Sequence, residues 1–178
     1  MDFAEFFGTI RGIMDLSSQA HDELKQAAEM IMACEGTVYL FGNGASASIA
    51  AHTATDLTKM CGIPALTFHD PNLLTCFVND YGENWMRQCV KRFCKPDDLV
   101  ILISSSGASN NIIMASDRCC KDQIPYITLS GFDKNNVLRK YGKVNLWVNS
   151  KEYNVVESVH FTWLAAIIEH IREKKDGI

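Results

Sequence analysis

Two short runs of small residues carry the groups best suited to chemistry: Gly42-Asn43-Gly44-Ala45-Ser46 and Ser104-Ser105-Ser106-Gly107-Ala108-Ser109. Each follows an apolar, β-rich segment and opens into a helical pattern. Small side chains let a ligand approach the main chain, and the first amides of a helix point outward with a partial positive charge. Serine hydroxyls add donors. The ligand that suits such loops is a compact dianion needing many donors in little space, namely a phosphate ester. An ordinary strand-to-helix turn also favours Ser and Gly, so the serine run alone does not choose between the two readings. Gly42-Asn43-Gly44 also begins a dinucleotide fingerprint. Its third glycine position holds Ala47, however, and Cys61 to Phe68 carries no carboxylate for a ribose. No nucleotide cofactor is expected.

A second set of groups is ionisable. His52 and Asp56 are four residues apart in a helical stretch, which puts them on one face. Glu157 lies near the start of the last helical stretch. An imidazole and a carboxylate on one helix face can work as an acid and base pair. The bland reading is a local His–Asp polar pair and an acidic residue favoured in a first helical turn. His160 and His170 are expected to face solvent or a subunit contact, His69-Asp70-Pro71 to form a capped turn, and Trp85, Trp147 and Trp163 to anchor packing.

These groups must be held by elements that the hydrophobic pattern reveals. Apolar residues recur at helical intervals from Phe3 to Cys34, with a plausible break at Ser17-Ser18. Five β-rich runs follow: Thr37–Phe41, Ala65–Phe68, Asp98–Ile103, Tyr126–Leu129 and Val144–Val148. Helical segments lie between them, from about Ser46 to Met60, around Trp85 and from about Ser109 to Lys121. A last one spans about Val155 to Glu173. Strands alternating with helices predict right-handed crossovers and a five-stranded parallel sheet in a three-layer α/β/α fold. Continuous apolar strands fit a sheet covered on both faces. Ligands of such folds bind at the carboxyl ends of the strands, where both loops lie.

The bulk numbers agree with one domain over 1–178: a helical extension over 1–34, then an α/β core and C-terminal helix over 35–178. The chain has 178 residues, 47% of them apolar and 21% charged, which suits a compact globular fold. A net charge of -4 offers no general footprint for nucleic acid. Seven cysteines, an odd number without a C-x-x-C pair, read as thiols in a reducing cytoplasm. Met1-Asp2 opens acidic, no long apolar run follows as in a signal peptide, and no stretch approaches a membrane span. The N-terminal apolar stripe lacks the basic polar side of a membrane-surface helix.

Taken together, several motifs resemble the SIS (sugar isomerase) domain, and within it the phosphoheptose isomerase type. They are Phe41 to Ser46 with His52 and Asp56, Asn79-Asp80-Tyr81-Gly82, Ile103 to Ser109, and Thr128-Leu129-Ser130-Gly131. The likeness extends over nearly the whole chain and implies a flavodoxin-like SIS fold. It implies that Ser46, Ser104, Ser105, Ser106 and Ser109 contact phosphate and sugar, and that Asn43 and Asp80 orient sugar hydroxyls. It also implies conversion of sedoheptulose 7-phosphate to a heptose 7-phosphate for lipopolysaccharide, capsule or S-layer glycan precursors. A homotetramer with sites between subunits follows from it, and in many members Zn2+. Departures are visible. Where the family has a glutamate four residues after the histidine, this chain has Asp56; its glutamine on the last helix is Glu157 here, and its histidine there is Ala165. Alanine can neither shuttle a proton nor bind metal. By this resemblance His52, Asp56 and Glu157 remain as the expected metal ligands, with Asp56 or Glu157 as the expected base and His52 as partner or ligand. An isomerase of this sugar, an isomerase of another sugar phosphate, and a non-catalytic sensor or adaptor all stay open on these residues.

Overall fold

The computed structural model of the chain describes residues 1–14, 18–140 and 142–177. Its elements are α1 (Phe3–Met14), α2 (Ser18–Met32), β1 (Val38–Phe41), α3 (Ala45–Cys61), β2 (Ala65–Thr67), α4 (Pro71–Tyr81), α5 (Trp85–Phe93), β3 (Leu99–Ser104), α6 (Asn110–Asp122), β4 (Tyr126–Ser130), β5 (Val144–Trp147) and α7 (Tyr153–Asp176). Short 3₁₀ turns lie at Gly82–Asn84 and Leu138–Lys140. All five strands and the expected helices form within a few residues of the sequence expectation. Of the expected break at Ser17-Ser18, Ser17 lies outside the described residues, and α2 begins at Ser18.

The strands form one parallel sheet in the order β2-β1-β3-β4-β5. Strand order reverses between β1 and β3, which pair directly with Phe41 opposite Leu102. The loops that leave their carboxyl ends are the two small-residue runs. The chain therefore brings them together at the switch point, where open α/β sheets receive ligands.

Burial explains why the strands read as unbroken apolar runs. Every residue of β3 is buried. Strand side chains alternate between faces, so Leu99, Ile101 and Ile103 join one core and Val100 and Leu102 the other. The first core packs β1, β3, β4 and β5 against α2, α3 and α7 through Ala27, Ile31, Ala50, Leu57, Val159, Trp163 and Ile167. The second, with Met86, Cys89, Val90, Ile112 and Cys119, lies under α5 and α6. Two helices reach the cores only through partly buried side chains, Ile13 and Met14 of α1 on the first and Leu73, Leu74 and Phe77 of α4 on the second. α1 lies against α7 and has no buried residue; α4 packs on α5 and the turn after it and has none either.

Helix ends follow local chemistry. Asp70 caps α4 as expected: its carboxylate accepts from the amides of Asn72 and Leu73, both at 3.1 Å, with Pro71 at the first position. Gly44 begins α3 at φ 53°, a backbone that only glycine adopts freely. Gly42 sits so close to the first turn of α3 that a Cβ would collide with the main chain of Ser46 and Ala47.

Replacing Gly42 by alanine is therefore expected to force α3 off β1 and to lower the free energy of unfolding by about 1–3 kcal/mol. Gly8, with nothing within 4 Å of its missing Cβ in the middle of α1, should behave in the opposite way. There, Gly8→Ala should stabilise by about 0.5–1 kcal/mol. Urea unfolding of the two variants measures both.

Candidate active site

The first loop is tied to the start of α6 by a reciprocal amide pair. Asn43 Nδ2 donates to Asn111 Oδ1 at 3.0 Å, and Asn111 Nδ2 donates to Asn43 Oδ1 at 2.8 Å. Ser46, in the first turn of α3, is buried at 3% exposure. Opposite, the serine loop turns tightly after β3. The Gly107 amide donates to the Ser104 carbonyl at 3.0 Å, and Gly107 takes φ 65°. Ser104 Oγ donates to Ser109 Oγ at 3.1 Å, while Ser106 Oγ accepts the Ala108 amide at 3.2 Å. Ser109 occupies the N-cap position of α6 with extended backbone, yet its side chain makes no cap bond. Its hydroxyl faces the other serines, and the helix start is not capped by that side chain. Small residues and hydroxyls thus gather at this turn beside a helix start, the residue types that can serve a phosphate ester.

Ser105 has a different partner. Its hydroxyl donates to Glu157 Oε1 at 3.1 Å. This carboxylate, in the second turn of α7, thus lies at the edge of the serine loop. Four residues on, the Phe161 ring stands 5.2 Å from the His52 ring, centroid to centroid. His52 Nε2 in turn lies 3.0 Å from Asp56 Oδ2. A single stripe of α7 therefore touches both chemical groups: Glu157 meets the serine loop, and Phe161 meets the His52–Asp56 pair on α3. Positions four apart on a helix are about 6 Å apart along its axis, the scale of a sugar ring or of a few carbons of an open chain.

The trio does not form a metal cage. Among the described residues no three His, Cys, Asp or Glu side chains gather as a metal-binding group. His52 and Asp56 face each other, Glu157 takes a serine hydroxyl, and Ala165 offers no donor on the same stripe. The residues of this chain thus do not fit the Zn2+ that the resemblance implied, and no chemical step is assigned to it.

Asp80 is not brought to the serine loop by any hydrogen bond of its own. Its carboxylate accepts from Asn79 Nδ2 at 3.0 Å and from the Cys76 thiol at 3.9 Å, both on α4. Asn43 is at the site, but its amide is engaged by Asn111.

His160 corrects an expectation. It is fully buried, and its Nε2–H donates to the Ser130 carbonyl at 3.1 Å, while Nδ1 has no partner among the described residues. Burial pushes its pKa down to about 4, against a smaller upward pull from that hydrogen bond. The imidazole is therefore neutral at pH 7. His170 is partly exposed. The sequence reading also passed over Asn111, Phe161 and Asn136. The spacing 157, 161, 165 on the last helix was the available signal for Phe161. For Asn136 there was none, because its importance depends on a loop folding back.

One backbone conformation near the site is costly. Phe132, next to Gly131, has φ 58°, a region that large side chains occupy at a cost of about 1–3 kcal/mol. Its amide donates to the Ser150 carbonyl at 2.8 Å, and its ring lies 4.9 Å from that of Tyr153.

Comparison with known proteins fits this geometry. The family profile described as SIS domain matches residues 5–131. A phosphoheptose isomerase of Edwardsiella ictaluri (strain 93-146) is 34% identical over 119 residues, covering 62% of this chain and 62% of that protein. The aligned part thus spans less than two thirds of that relative. A phosphoheptose isomerase of Colwellia psychrerythraea (strain 34H) is 31% identical over 140 residues, covering 73% of this chain and 71% of that one. Among solved structures, a phosphoheptose isomerase from Neisseria gonorrhoeae superposes with a TM-score of 0.84 at 26% identity, covering 95% of this chain and 94% of that one.

The buried His160 makes a pH-dependent contribution to stability. Its folded pKa is depressed below the usual value near 6.5, so the unfolded chain binds the proton more readily. Stability is fully present above about pH 6.5 and is lost as pH falls toward about 4. Half-buried His69, whose pKa burial also lowers against a smaller pull from the Gly42 carbonyl, adds to the same slope. Urea midpoints across this window should fall on acidification, and fall less steeply in His160→Gln; equal slopes would contradict the assignment.

Proposed function

Because the chain belongs to the SIS domain family, we propose that it is a phosphosugar isomerase that interconverts sedoheptulose 7-phosphate and a heptose 7-phosphate. The observation that carries the reading is the Ser105–Glu157 hydrogen bond, which puts a carboxylate at the lip of a donor-rich anion loop. The relatives named phosphoheptose isomerase support the choice of sugar.

Aldose–ketose exchange moves a proton between neighbouring carbons through an enediol. One group must take the proton from carbon, another must supply one to oxygen, and the developing charge must be stabilised. In the proposed complex the phosphate sits against the α6 amides and the hydroxyls of Ser104, Ser106 and Ser109, with Ser46 on the α3 side. The sugar then runs toward α7 and α3. Ser105 is already committed to Glu157, so it marks the passage from the anion end to the reacting end. Glu157 or Asp56 acts as the base, and His52, bonded to Asp56, serves as its proton partner. Aspartate is one methylene shorter than the family's glutamate, a difference on the ångström scale that affects catalysis. Glu157, which touches the loop directly, is thus the stronger candidate. Asn43 and Asp80 are proposed to orient hydroxyls, Asp80 through the acceptor capacity its two own-helix partners leave free.

The product would feed a surface-glycan precursor. The seven free thiols suit a reducing cytoplasm, and no helix among the described residues is long and apolar enough to cross a membrane. A homotetramer is proposed on the face formed by α1 and the start of α7. There Phe3 and Phe7 are 87% and 60% exposed and, with Phe6 and Tyr153, line a cavity of about 630 Å³. Sedimentation at micromolar concentration should give the tetramer, and Phe3→Ser with Phe7→Ser should shift it toward smaller species.

Incubation with sedoheptulose 7-phosphate, followed by NMR for the aldose, tests the activity. Turnover should fall by about 10²–10⁴-fold in whichever of Glu157→Gln and Asp56→Asn removes the base. Ser109→Ala should raise KM by about tenfold with a smaller effect on kcat. Full turnover in both carboxylate variants would overturn the assignment of the base. Thermal stabilisation by the sugar phosphate without any product would replace the enzyme by a binding module.

A further inference from the structure

The serine loop does not hold its shape alone. Its outer side is backed by the segment 131–139, which leaves β4 and folds over it. The Gly131 amide donates to the Ser105 carbonyl at 2.9 Å, and the Leu138 amide donates to the Gly107 carbonyl at 3.2 Å. At the centre of the segment stands Asn136, 6% exposed. Its Nδ2 faces Ser130 Oγ at 3.0 Å, the Gly131 carbonyl at 3.2 Å and the Asp133 carbonyl at 2.8 Å. Its Oδ1 accepts the Arg139 amide at 3.0 Å. The same side chain presses on Gly107 so closely that a Cβ there would overlap its amide group. One buried amide thus closes the backing segment on itself and sets the floor of the turn at Gly107.

We propose that Asn136 is the positioning residue that fixes the conformation of the Ser104–Ser109 loop, so that its amides and hydroxyls converge before a ligand arrives. The consequence for sugar phosphate rests on the reading of that loop as the phosphate site; the bracing itself does not. Two links make the arrangement rigid. The Ser130 carbonyl accepts from His160 on α7 and, just past the end of β5, from the Val148 amide at 2.8 Å, which pins the root of the segment. A carboxamide is required because one end must donate to two carbonyls while the other accepts an amide. An aspartate of the same shape would turn an oxygen toward those carbonyls.

The test compares wild type, Asn136→Ala and Asn136→Asp. Thr128→Val serves as a control. It removes a buried bond to Asn145 (2.7 Å) in the neighbouring strands and does not touch the loop. Native-state hydrogen exchange of the Gly107 amide, normalised to the global stability of each variant, reports loop order without any ligand. Both Asn136 variants should lose at least about tenfold in protection at Gly107, and Thr128→Val should lose none. With sedoheptulose 7-phosphate, the same variants should raise KM by about tenfold or more while kcat changes far less. Unchanged normalised exchange at Gly107 in either folded Asn136 variant overturns the proposal, as does an Asn136→Asp protein that matches wild type. If the loop loosens as expected but wild type neither binds nor converts the sugar phosphate, the bracing stands and the proposed function falls.

Discussion

Everything at the site depends on how closely two helix starts can approach each other at the carboxyl edge of β1 and β3. The two strands are neighbours, so the loops leaving them share one small space. Side chains of ordinary size would fill it. Gly42 lets β1 end against the first turn of α3, Gly44 supplies a backbone turn that other residues resist, and Gly107 lets the second loop turn under Asn136. What remains open is lined by amides and hydroxyls. Helix starts of this kind can offer main-chain donors to an anion where side chains stay small.

The same economy shapes the reacting end. Glu157 brings a carboxylate to the edge of the serine loop, and the Ser105 hydroxyl of that loop gives it a donor. On α3, Asp56 is matched by His52, and the Phe161 ring covers that imidazole on one side. The ionisable groups are thus spread along a stripe, each with a partner, in place of a single cluster. This distribution suits proton transfers between adjacent carbons, where different groups act at different atoms.

Sequence made the framework legible because its signals are local. The run Asp98 to Ile103 reads as the strongest strand, and β3 is buried along its length; the small residues directly after it suit a ligand loop and an ordinary turn alike. The cap at Asp70 and the face shared by His52 and Asp56 follow from spacing alone. Other features needed the folded chain. His160 looked like a surface residue because a lone histidine near a helix start gives no sign of the carbonyl waiting across the core. Asn136 sits in a polar stretch that reads as plain loop, and its weight comes from contacts up to 29 residues away in sequence. Asp80 matched a motif, but a motif fixes residue type and not rotamer, and its carboxylate settles on its own helix.

The order β2-β1-β3-β4-β5 also constrains how the chain reaches this state during synthesis. The first two strands to emerge can pair only with each other, leaving the long inner edge of β1 without hydrogen-bond partners until β3 arrives about sixty residues later. Until then a nascent chain carries an unpaired strand edge and half of two cores, the kind of species that aggregates or recruits chaperones. The strand that completes the ligand edge is the same one that relieves this exposure. The arrival of β3 joins the two loops at one edge, and the second loop gains its backing only when the segment 131–139 has followed β4.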